Sequence, residues 1–133
     1  MGLCSHLKPE RKLTLPIKNF LKIKPRTEVC HDGQGLVNIS TIFDKQDFDT
    51  SLQFMHYTVL PPGTSIGLHT HGNDEEVYVI LEGSGVMEVD GQKIPVGKGD
   101  AVLNKPYATH ALYNTSDSAD IKILVFEVAN RAD

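Results

Sequence analysis

The sequence predicts an all-β domain, a sandwich or barrel of short strands behind a basic N-terminal arm. Two observations carry this reading. From about residue 36 onward, short segments rich in β-branched and aromatic residues are parted by turn-forming clusters at even spacing. No segment after residue 30 keeps helical periodicity over ten residues.

The elements follow in order. Leu13, Leu15 and Ile17, then Leu21 and Ile23, alternate with polar residues as edge strands do, although Pro16 and Pro25 limit sheet pairing. Strands are expected over 36–43, 52–60, 65–71, 76–82, 86–89, 92–96, 101–104, 108–114 and 121–128. Breakers lie between them: Pro61-Pro62-Gly63, Gly72-Asn73-Asp74, Gly83-Ser84-Gly85, Gly97-Lys98-Gly99-Asp100 and Asn114–Asp117. Asp90-Gly91 is a two-residue hairpin signal.

The 133 residues suffice for one domain with a core, and 40% apolar against 23% charged residues place the chain among globular proteins. No apolar run approaches membrane-span length, and Lys8, Arg11 and Lys12 interrupt any signal-peptide-like apolar stretch. Cys4 and Cys30 are too few for a disulfide framework, so free thiols and a cytoplasmic location are expected. Charge is uneven. Residues 1–26 hold seven Lys/Arg against Glu10 alone, whereas residues 27–133 hold six against sixteen acids. Residues 1–28 therefore read as a basic arm and 29–133 as a single barrel domain. The arm holds one aromatic, Phe20, which does not suit nucleic-acid binding. A solvated arm lying on the acidic barrel or on a partner subunit is the expectation, with a homodimer formed through a swapped strand over residues 11–24.

Function concentrates between Gly63 and Asn114. His69 and His71 alternate in a predicted strand, which puts both imidazoles on one face, roughly 6.6 Å apart along the chain. After the Gly72–Asp74 turn the next strand offers Glu75 or Glu76, on opposite faces. If Glu76 points inward, so do Tyr78 and Ile80. His110 arrives in a later strand. Three imidazoles and a carboxylate suit a divalent transition metal: Mn, Fe, Co, Ni, Cu or Zn.

Gly63, His69, His71, Glu76 and Gly83 stand at the spacings of the first motif of the cupin superfamily, and Gly99, His110 and Asn114 at those of the second. Over roughly residues 50–128 the chain resembles that superfamily. Within the second motif, Lys105 occupies the usual Pro position, Pro106 comes one later, and no Gly stands three before His110. The resemblance implies a double-stranded β-helix, or jelly-roll barrel, with a metal inside one end. It selects Glu76 over Glu75 and implies His69, His71, Glu76 and His110 as ligands.

Other residues invite weaker readings. Tyr78 should share the inward face of Glu76, as core packing, as a substrate-orienting phenol or as a base if its pKa is lowered; Glu76 is the other candidate base. Only one of His56 and Tyr57 can face in. Tyr107 and Tyr113 have parity opposite to His110 and are expected outside. Cys30-His31 carries no ligand spacing and reads as structurally indifferent. The only arginines are Arg11, Arg26 and Arg131, so a barrel pocket has no Arg except one lent by a terminus or a partner. This lowers sugar-phosphate isomerase and oxalate-decarboxylating activities, which the resemblance pairs with a pocket Arg.

Two functions compete. In one, a metal-dependent enzyme of dioxygenase, isomerase or lyase type acts on a small organic molecule, with the ion as Lewis acid or oxygen-activating centre. In the other, a non-catalytic barrel binds a small molecule or sugar over a structural metal.

Overall fold

Ten antiparallel strands form two sheets in the computed structural model, which describes residues 16–130. They are β1 (Arg26–Glu28), β2 (Val37–Asp44), β3 (Leu52–Leu60), β4 (Ser65–Thr70), β5 (Asp74–Glu82), β6 (Ser84–Val89), β7 (Gln92–Gly97), β8 (Ala101–Asn104), β9 (Thr109–Tyr113) and β10 (Ile121–Ala129). One sheet runs β1-β2-β3-β10-β5-β8 and the other β4-β9-β6-β7. The chain crosses repeatedly between the sheets, so sequence neighbours such as β3 and β4 lie in different layers. This is a jelly roll, with the expected strands in place to within a few residues.

Alternation explains which faces are buried. Along β5, Glu76, Tyr78 and Ile80 are buried while Val77, Val79 and Leu81 are half-buried. Along β10, Ile121, Ile123 and Val125 point inward. These side chains meet Val37, Ile39, Leu60, Ile66, Met87 and Leu112 in one core between the sheets. Each such aliphatic side chain, fully withdrawn from water, contributes about 1.5–3 kcal/mol before chain entropy is counted.

Turn chemistry fixes the register. Asp90 and Gly91 both take positive φ, 47° and 82°, as a two-residue hairpin turn requires, and Val89 pairs with Gln92 across it. Gly83 joins β5 to β6 at φ +85°, and a Cβ there would come within 2.3 Å of the Asp120 carbonyl oxygen. Only glycine fits. Asn114 locks the next connection, donating from its amide to the carbonyls of Leu60, Pro61 and Ala119 at 2.8–3.1 Å.

The arm departs from its alternating pattern. Ile17, Leu21 and Ile23 lie outside any strand, because Asn19 caps a single 3-10 turn at Phe20–Lys22 through a bond from the Leu21 N–H. The edge strand begins only after Pro25, where β1 pairs with β2 of the same chain. The expected swapped strand thus finds no strand among residues 16–24; its remainder, Leu13 and Leu15 included, lies outside the described residues. Phe20 instead packs its ring 4.5 Å from that of Tyr57.

Candidate metal centre

The two histidines of the first motif reach the interior through a defect in their strand. Ser65 and Ile66 pair with Tyr113 and Leu112, but His69 pairs with His110, so β4 carries one residue more than β9 between these points. That bulge reverses the parity of the strand. Ile66 can then enter the core while His69 and His71 turn toward the interior and Leu68 stays exposed. Without it, Ile66 and the histidines would point to opposite faces.

Glycine permits the bulge. A Cβ on Gly67 would lie 2.0 Å from the His31 carbonyl oxygen and 2.7 Å from the Gly33 nitrogen. The Gly67 carbonyl, freed from the ladder, accepts a 2.7 Å hydrogen bond from His69 Nδ1. The proton is thereby placed on Nδ1, and Nε2 is left buried with no partner.

The other donors close around it. His71, just past β4, is held by its backbone N–H on the Ala108 carbonyl at 3.0 Å. Its Nδ1 donates to Asp74 Oδ1 at 2.9 Å, which aims Nε2 at the cluster. His110 comes from the interior strand β9, and Glu76 from β5 in the opposite sheet. His71 Nε2 and His110 Nε2 are 3.3 Å apart, and Glu76 Oε1 lies 3.3 and 3.2 Å from them. Together with His69, the four ligand atoms fall within 4.8 Å of one another.

This donor set fits a transition-metal ion. With metal–ligand bonds of about 2.1 Å, neighbouring ligands stand about 3.0 Å apart in an octahedron and about 3.4 Å in a tetrahedron. The observed triangle of 3.2–3.3 Å edges lies between these values. The unpartnered His69 Nε2 is oriented for the same centre.

Electrostatics divide the donors: His69 is neutral and ready to bind, whereas His71 holds, against the Glu76 carboxylate, a proton that a metal ion must displace. Burial alone pushes the Glu76 carboxyl up, but hydrogen bonds from His110 and His71 outweigh it and hold the pKa at about 2. His71 is raised to about 9, chiefly by its hydrogen bond to Glu76, against the opposing effect of burial. Burial drives His69 down to about 4, so its ring is neutral and a competent ligand. Tyr78 lies beside the cluster, its hydroxyl 3.3 Å from His110 Nε2. Burial pushes this phenol well above its ordinary value. It therefore keeps its proton, which favours orienting over general-base chemistry.

A cavity of about 180 Å³ adjoins the cluster, with Glu76 and Tyr78 in its wall. His56 faces it and stacks on Phe54 at 4.1 Å, while Tyr57 faces outward onto Phe20. Here one sequence reading changes and one stated exception is met. Cys30 and His31 are not indifferent: both line the cavity, and the His31 ring stacks on His69 with centroids 3.6 Å apart. The cavity also has an arginine. Arg26, lent by the N-terminal segment, lines its wall while bonding Thr41 Oγ1 at 2.9 Å and Glu28 Oε1 at 3.3 Å.

Asn104 was not singled out by the sequence. It sits opposite Glu76 across the β5–β8 ladder, fully buried, with neither amide atom partnered. Only the pairing of β8 with β5 reveals that shared face. Tyr107 and Tyr113 lie outside as expected, Tyr107 exposed and Tyr113 bonded to Glu88 at 2.9 Å. Among the described residues a second potential metal group shares His71 with Asp74 and Glu127.

Residues 56–127, more than half of the chain, match the cupin domain family. The chain is a cupin. A Thermotoga maritima protein named as oxalate-binding is 32% identical over 92 residues, spanning 69% of this cupin and 75% of that relative. A Thermotoga maritima crystal structure described as a predicted oxalate decarboxylase superposes with a TM-score of 0.83 at 27% identity. It covers 86% of this cupin and 99% of that chain. A conserved-barrel cupin from Salinispora arenicola aligns with a TM-score of 0.65 at 16% identity, over 89% of this cupin and 90% of the other chain, and shows the fold alone. No helix among the described residues is long and apolar enough to cross a membrane.

Proposed function

We propose that this cupin holds a divalent transition metal on His69, His71, Glu76 and His110 and acts there on a small organic anion of the carboxylate class. The observation that carries the metal assignment is the convergence of four ligand atoms within 4.8 Å, with His69 Nε2 buried and unpartnered. Such an ion supplies Lewis acidity to a bound ligand oxygen.

The size and charge of the cavity support the ligand class. About 180 Å³ is below the range of drug-sized sites and suits a molecule of a few heavy atoms. Of the groups in the wall, burial lowers His56 to about 4 and raises the Cys30 thiol to about 11, so both are uncharged at neutral pH. The Arg26–Glu28 pair balances itself. A divalent ion against Glu76 alone leaves one net positive charge, which favours an anion. Arg26 in the wall removes the argument by which the sequence lowered oxalate chemistry, and the oxalate-named relative points the same way. In this reading Tyr78 keeps its proton and orients the ligand, and the Glu76 carboxylate stays ionised.

A second reading, binding without turnover, is favoured by the relative's being named for binding and by the high pKa of Tyr78. One experiment addresses both. Protein loaded with Mn(II) or Co(II) is titrated calorimetrically with oxalate, and the ligand is then followed by NMR over hours. Saturable binding that requires metal is expected, and consumption of the ligand separates an enzyme from a binding module. Binding unchanged by metal removal would refute the site.

A further inference from the structure

The ring of His31 lies flat on that of His69, with centroids 3.6 Å apart and planes 9° from parallel. No nitrogen of His31 joins the four-ligand group. His31 thus touches a ligand without being one. It also lies outside residues 56–127, so the family motif does not account for it.

The chain is tied down firmly to present this ring. His31 and Asp32 both take left-handed φ, 50° and 55°, an unfavourable conformation for residues bearing a Cβ. The turn that follows is fastened to the bulge of β4 at several points. The Cys30 carbonyl accepts from the N–H groups of Gly33 and Gly67 at 2.9 and 3.0 Å. Ser65 N–H donates to the Gln34 carbonyl at 2.9 Å, and Gln34 N–H to Ser65 Oγ at 2.8 Å. Gly33 and Gly67 meet backbone to backbone, where a Cβ on Gly33 would come within 2.3 Å of the Ser65 carbonyl oxygen. The turn therefore grips, by its N–H, the same residue, Gly67, whose carbonyl fixes the His69 tautomer. One assembly sets the ring from its edge, through Gly67, and from its face, through His31.

We infer that His31 is a positioning residue for the metal centre: its ring holds His69 in the orientation that directs Nε2 at the ion. This rests on the metal reading above. The contribution comes from the stacked face, so another flat ring should replace it and an unstacked side chain should not.

The test uses Co(II), whose visible spectrum reports ligand geometry, with His31→Phe and His31→Asn. Asn tolerates a left-handed backbone and removes the ring; Phe keeps the ring and removes both nitrogens. His31→Gly, with no backbone penalty, serves as a second ring deletion should His31→Asn fold poorly. Outer groups that orient a ligand typically alter affinity 10–100-fold. His31→Asn and His31→Gly are expected to release Co(II) to a chelator about tenfold faster and to alter its absorption bands, with His31→Phe close to wild type in both. Unchanged release and spectra in both ring-deleted variants would overturn the inference. So would loss of metal by His31→Phe, since that assigns the effect to a nitrogen. A wild type that takes up no Co(II) overturns the metal reading itself, a result distinct from either.

Discussion

Replacing Gly67 by Ala probes the bulge on which the site depends. The added methyl meets the backbone of the 31–33 turn, the His31 carbonyl oxygen at 2.0 Å and the Gly33 nitrogen and Cα at 2.7 and 2.9 Å. No flexible side chain can yield there. Overpacking of this kind costs about 1–3 kcal/mol, and losing the Gly67 N–H bond to Cys30 adds about 1 kcal/mol. The expected destabilisation is about 2–4 kcal/mol, which at a urea m-value of about 2 kcal/mol/M lowers the midpoint by about 1–2 M. Tryptophan is absent, so far-UV circular dichroism is the suitable probe. Gly72→Ala is the control: a Cβ there meets nothing within 4 Å, and its effect should stay within about 0.5 kcal/mol. Separation of the Gly67 peptide from the turn also loosens the His69 tautomer bond, so metal affinity should fall with stability. A Gly67→Ala protein of unchanged midpoint and unchanged metal affinity would refute the claim that this close packing sets the register of β4.

Other predictions follow from single residues. Tyr107 stands three before His110 at φ +62° and is 67% exposed, so Tyr107→Gly relieves backbone strain with little packing lost and should raise stability by about 0.5–1 kcal/mol, read by thermal melting. Burial, then the charge of Arg26, lowers His56 to about 4. Because the unfolded chain takes up this proton near pH 6.5 and the folded chain does not, stability is full above that pH and falls as pH drops toward 4. His56→Gln should flatten that part of the profile, and NMR of the His56 ring should show no titration above pH 6. Asn104→Leu removes two unpartnered buried polar atoms, so the metal-free fold should be as stable as wild type or more so, read by thermal melting; a clearly lowered melting temperature would contradict this.

The strands were legible where both requirements of a strand met: alternating or β-branched residues, and a turn on each side. Leu52–Leu60 and Ala101–Asn104 agree residue for residue. β1 escaped because Arg26-Thr27-Glu28 has no apolar alternation; it is exposed throughout, and pairing with β2 creates it. The bulge left a trace in Gly67, an isolated glycine within a strand pattern, yet its consequence for parity appears only against β9. The metal-binding candidates were legible because their spacing follows the strand period within a motif. Arg26, His31 and Asn104 have no such period. Tertiary pairing brings Arg26 and His31 to the cavity from a sheet edge and a left-handed turn, and sets Asn104 opposite Glu76 on a neighbouring strand. Cys30-His31 therefore looked inert in one dimension and proves to be a wall of the cavity in three.

Two groups compete for the ion, and anomalous diffraction from Co(II)-loaded crystals discriminates between them. The account predicts one anomalous peak per chain, about 2.0–2.2 Å from His69 Nε2, His71 Nε2, Glu76 and His110 Nε2, lost in His110→Ala. A peak on the far side of the His71 ring, between Nδ1, Asp74 and Glu127, or no peak at all, would contradict it.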